Sequence, residues 1–346
     1  MEQLRVINPR RASDKDLAVY HDKHYLSYVL DNGNDGEDNS EFGLQDDASS
    51  FAGLSDYVTL VAGATLTACE ALKQGISDIS ICWDGGRHHT HKSRASGFCY
   101  VADCILALLS LKHGAVWREP SMRKPRVMYI DLDLHFSDAV SEAFHSRRSP
   151  SSTSNVLILS VHHSSPGFFP ASKMANLSTK QSEDYDPFTL SIPLELGASN
   201  GTFARIWPIV ENVRRAFGPD YVVVQCGVDT LAGDPYATFN WSLGGGDGSL
   251  GSCIERVSSW PEKVLLLGGG GYNSPNAARA WAYLTSIVAG APLDLDTPIP
   301  DHSGFPLYGP SFTLDVPAGN MRDQNSEEYI HKIETTFEEI VADIRY

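Results

Sequence analysis

Five short apolar runs, each ending in glycine or in polar residues, limit what this chain can fold into more than any other feature. They are Ile79 to Trp83, Val127 to Leu134, Val156 to Val161, Tyr221 to Val228 and Val264 to Leu267. The runs are mostly continuous and rich in β-branched residues rather than alternating, as expected of strands buried on both faces. Helix-like stretches fall between and beside them, at about Leu60 to Lys73, Tyr100 to Leu111, Phe203 to Ala216 and Pro275 to Ala289. Strands alternating with helices predict an α/β fold: a parallel sheet with helices on both faces. The tail after Asp315 ends in a charged helix-like segment, Glu327 to Ile344.

At 346 residues the chain can hold one large α/β domain, and no linker divides it, so residues 1–346 are read as one domain. Asp31 to Ser50 is acidic and rich in Gly, Asn and Ser, and reads as a loop. Trp117 to Arg126 and Ser146 to Ser154 read as surface insertions. Six singly spaced cysteines with no CxxC pair point to reduced thiols. There is no apolar run of membrane-spanning length and no basic-then-apolar leader, so a soluble intracellular protein without membrane contact is expected. A net charge of −16 argues against direct nucleic-acid binding and suits a cationic partner such as a lysine-rich tail.

In open parallel sheets, ligands bind beyond the carboxyl ends of the strands. Four of the runs deliver His, Asp or Tyr there: Asp84 to His89, then Asp131, Asp133, His135 and Asp138, then Asp229, then Gly268 to Tyr272. Asp131-Leu-Asp133-Leu-His135 alternates polar with apolar as in a strand, where alternate residues share a face, so the acids and the imidazole point one way. Carboxylates in an apolar strand are costly unless paired or metal-bound. Asp133, His135 and Asp229 make a set of two carboxylates and one imidazole, the type of three-ligand site that holds a catalytic zinc with an open fourth position. Asp131 taken alone fits a satisfied structural carboxylate equally well. The glycines before Tyr272 let backbone approach a ligand closely, and the absence of a following Lys-Ser/Thr disfavours a nucleotide loop. His162 and His163 read as structural, and His21, His24, His91, His113, His145, His302 and His331 as surface or capping residues.

Ordered motifs along nearly the whole chain resemble the class I histone deacetylases, zinc-dependent lysine deacetylases of the arginase/deacetylase fold. They are His88-His89, Ala95 to Tyr100, Asp131 to His135, Ser165 to Pro170, Gln225 to Thr230, Ala232 to Pro235, Leu266 to Asn273, Ala278 to Trp281 and Tyr308 to Pro310. The resemblance implies hydrolysis of Nε-acetyl-lysine in histone tails or other proteins, zinc on Asp133, His135 and Asp229, and His88 and His89 as the tandem catalytic histidines. It makes His89 the general base and acid, oriented by Asp138, with Asp131 serving His88 and Tyr272 stabilising the oxyanion. Gly97, Phe98 and Phe169 would line the lysine tunnel, and Asp47 would grip substrate backbone at the rim. It further implies a structural potassium ion near Asp131, Asp133, His135 and Ser160, a nuclear location, and corepressor or chromatin proteins as partners.

Three departures from the family pattern stand out. Phe136 and Ser137 follow His135 where the family has histidine and glycine, so tuning around the metal should differ. Arg87 precedes the tandem histidines in place of an aromatic, and a cation there should lower their pKa values. The resemblance begins near Met1 to Arg11, at the family's second strand, without the first strand, its helices or an arginine of the acetate-release channel. Loss of an interior strand would leave backbone groups unpaired, so the sequence reads as N-terminally incomplete. Alternatives to the leading reading are a catalytically impaired scaffold in a chromatin complex, and an amidohydrolase acting on acetylated polyamines or other acyl-lysines.

Overall fold

A computed structural model describes residues 4–34, 36–113, 123–145 and 154–344. Six parallel strands form one sheet in the order β1-β6-β5-β2-β3-β4. They are β1 (Ile79–Cys82), β2 (Val127–Asp131), β3 (Val156–His163), β4 (Thr189–Leu194), β5 (Tyr221–Gln225) and β6 (Lys263–Leu267). Around them lie α1 (Asp14–Leu17), α2 (Lys23–Val29), α3 (Leu54–Lys73), α4 (Asp103–Lys112), α5 (Asp138–Phe144), α6 (Asn200–Phe217), α7 (Leu250–Ser258), α8 (Ser274–Val288) and α9 (Glu327–Ile344). No described helix is long and apolar enough to cross a membrane. The six cysteines are free and buried. The expected insertions fall largely on residues 114–122 and 146–153, outside the described residues.

The period of two along a strand decides which helices cover which face. Met128 and Ile130 of β2 point into a core shared with α6, α7, α8 and α9, where Phe203 stacks on Trp241 at 3.7 Å. Val127 and Tyr129, one residue out of phase, point into a second core with α3, α4 and α5. Helix ends follow local chemistry. Ser199 accepts the Thr202 amide at the start of α6, and Gly218 closes that helix in the left-handed conformation at φ 59°.

The structure corrects three expectations. First, β4 is a sixth strand, carrying Pro193 and pairing on one side only, with β3. Proline is tolerated on such an edge, and it is what breaks the apolar run in the sequence. Second, β2 stops at Asp131. Asp131 Oδ1 accepts the Asp133 amide (3.0 Å) and Asp133 Oδ1 accepts the His135 amide (3.1 Å), so side chains compete for the amides a longer strand would pair. Third, His21 is buried rather than at the surface, accepting the Ala102 amide on Nε2 (3.0 Å).

From β2 the chain steps outward through β3 to β4, then returns to place β5 on the other side of β2. The strand order therefore reverses between β2 and β5. Such a switch point opens a crevice at the carboxyl ends of the two strands.

Candidate metal centre and active site

The segments leaving β2 and β5 carry Asp133, His135 and Asp229 to that crevice. One ligand atom from each lies within 4.8 Å of the others, and all three residues are buried. His135 Nδ1 is 3.0 Å from Asp229 Oδ2 and 3.2 Å from Asp133 Oδ1. Asp229 Oδ1 accepts the Leu134 amide (3.0 Å), while Asp133 Oδ2 accepts the Gln225 side-chain amide and the Gly270 amide, both at 2.8 Å. Two glycines make the approach possible. A Cβ on Gly227 would lie 2.2 Å from Asp133 Oδ2, and one on Gly270 would lie 2.4 Å from Asp229 Oδ2.

The two acids of this cluster are buried close together. Burial and the charge of Asp133 push the Asp229 carboxyl above its ordinary value. Burial would lower His135, but its bonds to Asp133 and Asp229 raise it to about 10. A divalent cation among these atoms would offset both the burial of the acids and their repulsion. Two carboxylates and one imidazole, with the rest of the coordination sphere open, is a donor set suited to a catalytic metal.

The tandem histidines enter from the turn after β1, their rings tilted against each other with centroids 3.9 Å apart. His88 Nδ1 is 2.9 Å from Asp131 Oδ2, which also accepts the Tyr129 hydroxyl (2.6 Å). His89 Nδ1 is 2.7 Å from Asp138 Oδ1. The two rings differ electrostatically. Burial lowers both, but Asp131 and Asp133 overcome it at His88 and raise that ring to about 9. At His89, burial and the neighbouring His88 prevail over Asp138, and the pKa falls below its ordinary value. Lowering of both rings by Arg87 is therefore not what the site shows. Burial would lower Arg87's own pKa, but the neighbouring Asp103 carboxylate raises it, and the Arg87 backbone amide donates to Asp103 Oδ1 (2.7 Å).

Above the metal set stand Phe98, Phe169 and Tyr272, each more than a third exposed. The Phe169 ring lies 4.9 Å from His89, and Phe98 lies 5.8 Å from Tyr272. Gly97 sits between them at φ 53°, and a Cβ there would come within 2.5 Å of His89 Cδ2 and 3.0 Å of Phe169 Cε1. The exposed Asp47 accepts the Gly97 amide on Oδ2 at 3.2 Å, so the acidic loop reaches the same rim. Burial, with Asp133 and Asp229 nearby, raises the Tyr272 hydroxyl above its ordinary pKa and keeps it a proton donor.

All twelve residues expected at the site thus gather at one end of the sheet. His162 and His163 stay apart from it as structural residues: His162 Nε2 is 2.9 Å from the Ala175 carbonyl, and His163 Nδ1 is 3.0 Å from that of Leu194. Phe136 is buried and packs on His162 (4.8 Å), so it fills space beside the metal ligand without a polar contact.

Several contributors escaped the sequence reading. Gln225 lay inside a recognised motif with no role attached. Asp234, in another such motif, accepts the Tyr272 amide (2.7 Å) and Asn273 amide (3.3 Å) and so fixes the tyrosine loop. Phe168 stacks on His135 at 5.1 Å. His91, expected at the surface, is only a quarter exposed and has Nε2 3.5 Å from Asp138 Oδ2. Nothing in a single sequence marks these contacts, because each spans separate segments.

A family model described as the histone deacetylase domain matches residues 1–288. Proteins named histone deacetylase 8 are similar over most of the chain: 37% identical in Xenopus tropicalis (96% of this chain, 85% of the relative) and 36% in Danio rerio (97% and 84%). Histone deacetylase 19 of Arabidopsis thaliana is 32% identical over 96% of this chain and 63% of its own length.

Proposed function

The chain belongs to the histone deacetylase family, and from that premise we propose that it is a zinc-dependent enzyme that hydrolyses Nε-acetyl-lysine in histones or other proteins, releasing acetate and lysine. The observation that carries the reading is the convergence of Asp133, His135 and Asp229 at the β2/β5 switch point, directly beside two carboxylate-held histidines.

Asp133, His135 and Asp229 would hold the zinc. Bound there, zinc supplies the Lewis acidity that polarises an amide carbonyl and brings the pKa of water to about 7. His89 has Nδ1 committed to Asp138, which leaves Nε2 to take a proton from water. Its lowered pKa keeps it free to do so near neutral pH. The same nitrogen returns the proton to the departing lysine amine. His88, its Nδ1 held by Asp131, stands beside His89 and orients the attacking water. The Tyr272 hydroxyl donates to the carbonyl oxygen as negative charge develops. Phe98 and Phe169 pack against the lysine methylenes, and with Gly97 they leave a passage that favours the neutral acyl side chain over a charged ammonium. Asp47 accepts amide hydrogens of the substrate backbone at the rim.

We read residues 1–346 as one catalytic domain, since all six strands share one sheet. Nuclear action on chromatin alongside corepressor proteins follows from the family premise, and so does the structural potassium ion near Asp131, Asp133, His135 and Ser160, which enters no step above. The decisive assay uses an acetyl-lysine peptide with the purified chain, before and after chelation and zinc return. Acetate release that disappears with the chelator and returns with zinc is expected. Release unaffected by complete metal removal would overturn the reading.

A further inference from the structure

Asp138 has two oxygens and only one of them is used by His89. Oδ1 meets His89 Nδ1 at 2.7 Å, and Oδ2 faces His91 Nε2 at 3.5 Å. The far nitrogen of that second ring, Nδ1, lies 3.0 Å from Glu142 Oε2. His89, Asp138, His91 and Glu142 thus form a continuous alternation of imidazole and carboxylate. It runs outward from buried His89 to Glu142, whose side chain is 52% exposed. The arrangement is built rather than incidental. Asp138 and Glu142 stand four residues apart on one face of α5, and the His91 backbone is pinned by its amide bond to the Arg94 carbonyl at 3.0 Å.

We propose that His91 is a positioning residue for the reaction: with Glu142 it holds the outer oxygen of Asp138, and the charge it carries sets how strongly that carboxylate supports a proton on His89. This rests on the deacetylase reading for its kinetic consequence and on geometry alone for the contact. The charged groups around His91 are Asp138 and Glu142 of α5 and Arg94 of its own turn. Tyr20 also lies near the same two carboxylates, and His89 lies across Asp138. The contact with the Asp138 carboxylate is the largest influence on His91. It and the charges of both acids hold His91 above its ordinary pKa against burial and Arg94.

The direction of the effect follows from charge. A protonated His91 offsets part of the negative potential that Asp138 places on His89, so His89 gives up its proton at lower pH. A neutral His91 leaves that potential intact, so His89 holds its proton to higher pH and fewer molecules have a free base. For charges separated by a carboxylate's width, the shift is about 0.5 to 1 pH unit at effective dielectrics between protein surface and water.

The experiment uses the full zinc-loaded chain. Histidine-selective NMR follows the His91 ring, assigned by its loss in His91→Gln, and the pH profile of kcat/KM is recorded in parallel. Glu142→Gln should lower the His91 midpoint. His91→Gln should move the acid limb of kcat/KM upward by about 0.5 to 1 unit, and His91→Lys, which keeps a positive charge, should return it to the wild-type position or below. If His91→Gln does not fold, Glu142→Gln carries the test from the surface through the His91 midpoint. Superimposable acid limbs in wild type and His91→Gln, or a His91 midpoint indifferent to Glu142→Gln, would overturn the proposal. A wild-type chain inactive on acetyl-lysine in every metal state would defeat the functional reading instead. In that case the response of the His89 signal to His91 ionisation still decides the coupling.

Discussion

The middle of the sheet and its carboxyl-terminal edge obey opposite rules. In β5, Tyr221 to Val224 are fully buried apolar residues that pack between helices on both faces. A few residues further on, Gln225 and Asp229 are equally buried, yet each side chain is polar and bonded to another segment. The strand interior gains free energy by removing apolar surface from water. The edge spends part of that gain to hold acids of like charge close together without water. The contrast teaches that stability and chemistry are separately placed here, so substitutions in the two regions should fail in different ways.

Asp229→Asn tests the edge most severely. The change is isosteric and removes one of two carboxylates from the metal set, so zinc content and deacetylation should both fall to background while the circular dichroism spectrum is kept. Wild-type zinc content in that variant would exclude Asp229 as a ligand. Phe203→Ala tests the interior. Loss of a buried ring stacked on Trp241 should cost about 3–5 kcal/mol of stability in denaturant titration, with turnover per folded molecule little changed. A variant as stable as wild type but poorly active would blur the proposed separation. Tyr272→Phe removes only a hydroxyl from the edge. We expect kcat to drop roughly 10²–10³-fold with an unaltered melting curve, and undiminished turnover would strip Tyr272 of its role. The smallest effect belongs to neither region. Glu327 on α9 pairs with Arg205 of α6 at the exposed surface, and Glu327→Gln should shift stability by less than about 1 kcal/mol. A larger loss would mean that α9 is held by charge rather than by the apolar contacts of Ile330, Ile333 and Phe337.

Much of this division is already legible in the order of residues. Five of the described strands lie in mostly apolar runs, because a strand covered on both faces has little room for polar residues before it ends. The polar residues that follow such runs name the site, which is why Asp133, His135, Asp229 and Tyr272 stand out without coordinates. β4 does not show, because an edge strand tolerates Pro193 and need not be apolar throughout. Arg87 and His91 were misjudged for a related reason. Their neighbours on the chain say nothing of the residues that act on them, which come from α3, α4 and α5.

The amino-acid order by itself determined the class of fold, the residues that carry the chemistry and their position at strand ends, since burial forces apolar runs and leaves reactive side chains only where those runs stop. The tertiary structure alone decided that β5 returns beside β2. Only that crossover brings Asp229 within reach of Asp133 and His135, residues about ninety positions earlier in the chain, and only the packing of α5 against the turn after β1 lets one carboxylate, Asp138, serve two imidazoles. Distances between segments are set by how helices and strands pack in three dimensions, and no local pattern of residues encodes them.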